Sequence, residues 1–300
     1  MPTKTSRKSS LRILQIDRLK RIPWLIHGFS TRIGGFSAAY GGHALNLGFT
    51  KHDSRQAVER NRGAVLKKLG VTTRSVVSPF ITLRQIHSDL IHCPSDVPQS
   101  PLSGDGLITR TPGILLAVLT ADCLPIILVD PRQRAVGVFH AGWRGTVKRI
   151  VEKGVGEMRR WFGTEARDIR AAIGPGIHSC CYQVGPEVRE QFESQFAYAK
   201  ELFHEVKESD PIREKYPLLF LTARAPGHSE LPKKIFLDLV EANRRQLLAA
   251  GVLAKNISAS SLCTSCRTDL LFSHRAEKGV TGRMMAVVGI RARQRRSRPL

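Results

Sequence analysis

Apolar positions gather in runs of strand length through the middle of the chain. ILLAVLT (114–120), PIILVD (125–130), RAVGVFH (134–140), IRAAI (169–173) and RMMAVVGI (283–290) are nearly continuous. That is the pattern of strands covered on both faces. ITLRQIHS (81–88) and ISASSL (257–262) read as further strands. Elsewhere the apolar period moves towards 3.6. Residues 54–69 predict a helix capped by Ser54, with Val58, Val65, Leu66 and Leu69 near one face and Gly70 at its end. Val147, Ile150, Val151, Val155, Met158 and Trp161 predict one helix running from AGWRG to about residue 162. Pro186 opens a short helix. FLDLVEANRRQLLAAG (236–251) predicts another, with Gly251 as its stop. Residues 23–48 read as turns around a short strand, and 204–234 as a long surface connection. Strands and helices alternate without a strict βαβ rhythm, which predicts an α/β (α+β) fold: a mixed sheet with helices packed on it.

Composition narrows the class. The 300 residues are 42% hydrophobic and 24% charged, which is globular. No apolar run reaches the roughly 18–20 residues of a membrane span. Six cysteines are too few for a disulfide scaffold, and no leader pattern precedes the body, so a reducing, cytoplasmic setting is expected. The net charge of +22 is concentrated at the ends. Residues 1–22 carry seven basic side chains against Asp17, and RARQRRSRPL (291–300) carries five arginines, so the two ends supply 11 of the 22. Such blocks read as flexible, solvated tails able to touch polyanions through charge alone. Nothing in the body matches a motif for specific nucleic-acid reading.

Candidate chemistry lies at the ends of the apolar runs, where α/β proteins place their sites. Arg84-Gln85-Ile86-His87, Thr120-Ala121-Asp122-Cys123 and His140-Ala141-Gly142-Trp143-Arg144-Gly145 are the densest polar strings. His87, Cys123 and His140 offer two imidazoles and a thiolate, a set zinc accepts while keeping a fourth position open. Spacings of 36 and then 17 positions form no compact metal motif. Cys123 with His140 reads equally as a nucleophile and its base. A second pattern, His228-Ser229-Glu230 followed by Cys263-Thr264-Ser265-Cys266, has the ligand types of zinc nucleobase deaminases, but Leu262 stands where that signature has proline. IGPGI (173–177) follows a strand and matches no nucleotide-binding fingerprint. Arg32, Arg62, Arg144, Arg275 and Arg283 are candidates for holding an anion.

Eight strings occur in order: HGFSTRIGG (27–35), LRQIHSD (83–89), DGLIT (105–109), LTADCLPI (119–126), VGVFHAGWRG (136–145), CYQVGPEV (181–188), FLDLVEANRRQLLAAGV (236–252) and FSHRAEKGVTGRM (272–284). Together they resemble the YfiH/laccase-domain family, also called multicopper polyphenol oxidases or peptidoglycan-editing factors. The resemblance implies a single catalytic domain over residues 23–290, flanked by the basic tails. It implies a zinc site at His87, Cys123 and His140. It also implies purine nucleoside phosphorolysis (adenosine, inosine, guanosine, methylthioadenosine) with adenosine deamination beside it. Its alternatives are peptidoglycan-precursor editing, Cys–His hydrolysis and, weakest, copper-dependent phenol oxidation. Ten histidines without an H-x-H pair do not suit a multicopper array, although one such site would take copper as a substitute for zinc. On this reading Cys123, Asp122, Asp105 and Arg144 are catalytic, with Asp105 or Asp122 moving a proton. Arg32, Arg62 and Arg275 hold substrate or phosphate. The partners expected are purine nucleosides and phosphate, with no specific nucleic acid and no membrane, in a monomer or homodimer. Gly176 and Gln183 depart from the family pattern, which tends to have Cys or Ser and an acid there.

Overall fold

The buried runs become the central strands of two sheets in the computed structural model, which describes residues 10–71, 80–207 and 233–292. In chain order the strands are β1 (Ile13–Leu14), β2 (Leu25–Ser30), β3 (Ile33–Ser37), β4 (Phe80–Ile81), β5 (Ile91–His92), β6 (Gly106–Thr109), β7 (Leu115–Thr120) and β8 (Leu124–Asp130). They continue as β9 (Ala135–Ala141), β10 (Arg170–Ile173), β11 (Gln183–Val184), β12 (Phe203–Lys207), β13 (Lys233–Leu237), β14 (Ile257–Ala259) and β15 (Met284–Ile290). The helices are α1 (Asp17–Lys20), α2 (Arg55–Lys68), α3 (Trp143–Val147), α4 (Ile150–Phe162), α5 (Pro186–Gln195) and α6 (Leu239–Ala249).

The chain divides into two compact units, one made of the residues up to Ile177 and from Leu239 onward, the other of His178–Asp238. The larger unit holds a five-stranded sheet, β1-β2-β15-β7-β4, and a six-stranded sheet, β14-β10-β8-β9-β6-β5. Both are mixed: β15 is antiparallel to β2 and β7, whereas β4 runs parallel to β7. The sheets face one another across one apolar cluster. Leu116, Val118, Ala286 and Val288 come to it from the first sheet, and Leu107, Ile127, Val129, Val136 and Val138 from the second. The intervening residues Leu115, Ala117, Met285 and Val287 point to the other face of the first sheet, where Val65 and Leu66 of α2 and its C-cap Leu69 cover them. The central strands β8, β9 and β15 bury both faces, which is why their sequences do not alternate with polar residues. On the outer side of the second sheet, Gly154 of α4 lies so near the Phe139 ring that an added Cβ would come within 2.5 Å of it.

In the smaller unit, β13 pairs with β11 and β12, and Phe192 of α5 packs edge-on to Phe203 at 5.7 Å between ring centroids. Among the described residues no helix is long and apolar enough to cross a membrane.

Several expected boundaries move. The basic N-terminal stretch is not tail throughout: Ile13 and Leu14 pair with Ser30 and Phe29, and Leu19 and Ile22 are buried. Apolar residues spaced among its basic ones give it a place in the core. The helix expected from AGWRG to 162 is broken at Arg149, whose φ of 62° is left-handed, into α3 and α4. The helix expected over 236–251 begins at Leu239, because Phe236 and Leu237 pair in β13 instead. Of ITLRQIHS only Ile81 is strand, the end of β4, and 257–262 keeps Ile257–Ala259. Residues 23–48 hold two strands rather than one. The ends of the supposed connection 204–234 are β12 and β13.

Candidate metal centre

One strand, one turn and one loop deliver the three candidate ligands. β7 belongs to the first sheet and β8 to the second, so the chain crosses between sheets in the turn Ala121-Asp122-Cys123. Asp122 makes that turn at φ 93°, a conformation non-glycine residues rarely adopt outside functional sites. β8 and β9 are antiparallel with Leu124 opposite Ala141 and Pro125 opposite His140. Their register therefore brings Cys123 and His140 to the same end of the pair.

His87 arrives on the loop after β4. Gln85 ties this loop to β7 like a short strand: its Nε2 donates to the Leu119 carbonyl at 2.8 Å and its Oε1 accepts from the Leu119 N–H at 2.7 Å. His87 itself turns at φ 56°. Ser88 then donates to Asp105 Oδ2 twice, from its N–H at 2.6 Å and its hydroxyl at 2.7 Å. The other oxygen of Asp105 accepts from His140 Nδ1 at 2.8 Å, and the Asp105 carbonyl accepts the His140 N–H at the same distance. Asp105 is fully buried and holds the His87 loop and the His140 ring together.

The ligand atoms of His87, Cys123 and His140 all lie within 4.8 Å of one another, with Cys123 Sγ 4.0 Å from His87 Nε2. A tetrahedral ion bonded at about 2.3 Å to sulfur and about 2.1 Å to nitrogen would separate its ligands by roughly 3.5 Å, so a small contraction completes the set. A side chain at Gly142 would block it, because a Cβ there would stand 2.8 Å from Cys123 Sγ and 3.2 Å from His87 Cδ2. The hydrogen bond to Asp105 fixes the proton on His140 Nδ1 and leaves Nε2 for a metal, the usual second partner of a ligating histidine. His140 is buried and His87 exposed, so the trio is reached from one side.

Charge couples Asp105, His140 and Cys123. Burial raises Asp105, but the hydrogen bonds from His140 and Ser88 outweigh it and bring its carboxyl down to about 2. Burial pushes the Cys123 thiol up, yet His140 and His87 beside it outweigh burial and hold it below the ordinary thiol range. Burial pulls His140 down, and Cys123 and Asp105 on its two sides lift it above the ordinary imidazole range. The array is a thiolate, an imidazolium and a carboxylate in a row, and a metal on His140 Nε2 would displace the second ring proton.

The other expected residues are placed as follows. Asp122 accepts from Thr264 and Ser273 hydroxyls and from the Arg275 N–H. Arg144 is exposed, its guanidinium 4.4 Å from the Trp143 ring centre. Arg32 donates to the Thr268 and Tyr40 carbonyls and to Glu277. Arg62 donates to the Leu47 carbonyl and lies 4.5 Å over Phe49, and burial lowers it to about 10. Arg283 donates to the Thr281 and Gly282 carbonyls. His228-Ser229-Glu230 lies outside the described residues, while Cys263 is buried and Cys266 exposed. Gly176 packs against Leu124 and the Asp122 carbonyl, leaving no room for the side chain the family pattern has there. Gln85, Ser88 and Gly142 were not singled out by sequence reasoning. The only signal was their place inside RQIHS and HAGWRG.

Fold and site together define an α/β protein with one open-sided His–Cys–His centre at a crossing between sheets. The chain belongs to the family described as multi-copper polyphenol oxidoreductase laccase, the YfiH family, whose model matches residues 26–291. It is 34% identical over 286 residues to the purine nucleoside phosphorylase YlmD of Geobacillus stearothermophilus, covering 89% of this chain and 94% of that protein. The crystal structure of YlmD from that organism superposes with a TM-score of 0.74 at 32% identity, over 93% of this chain and 99% of that one. A purine nucleoside phosphorylase of Deinococcus radiodurans is 37% identical over 276 residues, 89% of this chain and 90% of that protein. Adenosine deaminase RL5, from an unknown prokaryotic organism, is 35% identical over 259 residues, 83% of this chain and 88% of that protein.

Proposed function

We propose that the protein is a zinc-dependent purine nucleoside phosphorylase with adenosine deaminase side activity, acting in the cytoplasm. The observation that carries this reading is the His87–Cys123–His140 group, ordered by Asp105 and open on one side. Its family relatives include phosphorylases and a deaminase. Zinc suits two imidazoles and a thiolate, with copper as a substitute, and supplies Lewis-acid charge when bound. Asp105 and Ser88 hold the ligands in place. In phosphorolysis the bond from ribose C1′ to the purine nitrogen breaks and a phosphate oxygen takes its place on C1′. In this reading Arg144, two residues beyond Gly142, and Arg275, whose main-chain N–H is anchored on Asp122, hold that phosphate. The arginines at 32 and 62 are engaged with protein carbonyls and support the surrounding loops. Incubating adenosine and inosine with and without phosphate tests the reading. Free base formed only with phosphate is expected, and no base or inosine at high enzyme concentration rejects it.

A second reading has its own observation. Cys123, His140 and Asp105 are also in the order of a nucleophile, its base and the base's orienting carboxylate. Alkylation separates the two. A ligating Cys123 resists alkylation until a chelator removes the metal, and a nucleophile reacts in untreated enzyme. His87 favours the metal, because a Cys–His pair has no need of a third donor.

A further inference from the structure

The carboxylate next to the metal ligand is spent on another part of the chain. Asp122 Oδ1 accepts from Thr264 Oγ1 at 2.6 Å and Ser273 Oγ at 2.7 Å, and Oδ2 from the Arg275 N–H at 2.7 Å. Its carbonyl accepts from the Ile177 N–H at 2.7 Å. A proton-transfer group needs an oxygen facing the substrate, and three of the roughly four acceptor positions of this carboxylate are taken by the protein. A second carboxylate closes the same segment. Glu277 Oε2 accepts from the Ser273 N–H at 3.1 Å and from the Thr281 hydroxyl, and its Oε1 accepts from Arg32 at 3.0 Å. Between these clasps the loop exposes His274, Arg275 and Lys278.

We infer that Asp122 is a positioning residue. It docks the cationic loop Ser273–Thr281, and Arg275 with it, beside the turn that carries Cys123, so that an oxyanion of the substrate meets fixed positive charge next to the metal. Glu277 and Arg32 keep the loop in that shape from its far side. The inference rests on the phosphorolysis reading for the identity of the anion, inorganic phosphate. The loop's dependence on Asp122 does not rest on it.

The test uses the full-length, zinc-loaded protein and three readouts: zinc content, amide hydrogen exchange over 264–281, and separate kcat and KM for phosphate. Asp122→Ala is expected to keep its zinc, to exchange faster over 264–281, and to raise the phosphate KM by about ten- to a hundred-fold with a smaller change in kcat. Asp122→Asn keeps an acceptor for the two hydroxyls and should recover much of the protection. Glu277→Ala should shift KM and exchange in the same direction. If Asp122→Ala does not fold, Thr264→Val with Ser273→Ala removes two of the three donors and leaves the carboxylate in place. Loss of kcat with phosphate KM and exchange unchanged would make Asp122 a proton-transfer group and overturn the proposal. Loss of zinc with exchange unchanged would overturn it as well. Absence of phosphorolysis in the unaltered enzyme would reject the functional reading alone, and exchange and zinc content would still decide the role of Asp122.

Discussion

At the scale of single residues, the legible part of the centre was what sits at the end of an apolar run. Cys123 and His140 stand out because a polar, metal-capable side chain closes a strand. The roles of Asp105 and Gln85 were hidden, since both depend on pairings between distant segments. Asp105 reaches His140 only because β6 lies beside β9 with Gly106 opposite Phe139. Another buried histidine shows a cost of the same kind. His27 is 2% exposed, and its Nε2 accepts from the Ile16 N–H at 3.2 Å. Burial lowers its pKa from 6.5 to about 4, with nearby Lys20 adding to the effect. The fold prefers the neutral ring, so this contribution is complete above pH 6.5 and is lost as pH falls towards about 4. The loss amounts to roughly 3 kcal/mol. Urea unfolding between pH 7 and 4 should show the decline, and His27→Gln should flatten it. An unaltered slope in that variant would assign the acid sensitivity to other groups.

At the scale of elements, the sequence showed which segments are strands or helices and was weakest where tertiary contact moves an end. Arg149 sits in a run of good helical periodicity, yet it takes a left-handed conformation that splits α3 from α4. No local signal marks that break. Helix α4 also carries two glycines that look alike in sequence and differ in surroundings. A Cβ on Gly154 would meet the fully buried ring of Phe139 at 2.5 Å, whereas one on Gly156 meets nothing within 4 Å. The same substitution should therefore have opposite signs. Gly156→Ala should stabilise by about 0.8–1 kcal/mol through helix propensity. Gly154→Ala should destabilise by about 1–2 kcal/mol, because overpacking outweighs that gain. Midpoints of denaturant unfolding decide it, and equal shifts of one sign would show that Phe139 yields easily.

At the scale of the whole molecule, near-continuous apolar strands foretold a mixed α/β fold, while the facing of two sheets was not readable. A strand buried on both faces looks the same in sequence whether a helix or a second sheet covers it. The ordered strings from HGFSTRIGG to FSHRAEKGVTGRM were the better guide to the family, and three of them, LRQIHSD, LTADCLPI and VGVFHAGWRG, carry the residues that meet at one centre.

The crossing of the chain from one sheet to the other gives the centre a use beyond chemistry. Its three donors are 36 and then 17 positions apart and meet only when β8 and β9 are in register and Gln85 has latched its loop onto Leu119 of β7. A disordered chain has no such pocket, so on the metal reading capture of the ion would time assembly. During refolding from denaturant, helix signal should return first, and uptake of zinc from a chromophoric chelator should come later, together with protection of the β8 and β9 amides. Zinc in turn should raise the melting temperature in proportion to the logarithm of its free concentration, as any ligand specific for the folded state does. Uptake that runs ahead of strand protection would mean that the donors find one another before the sheets do.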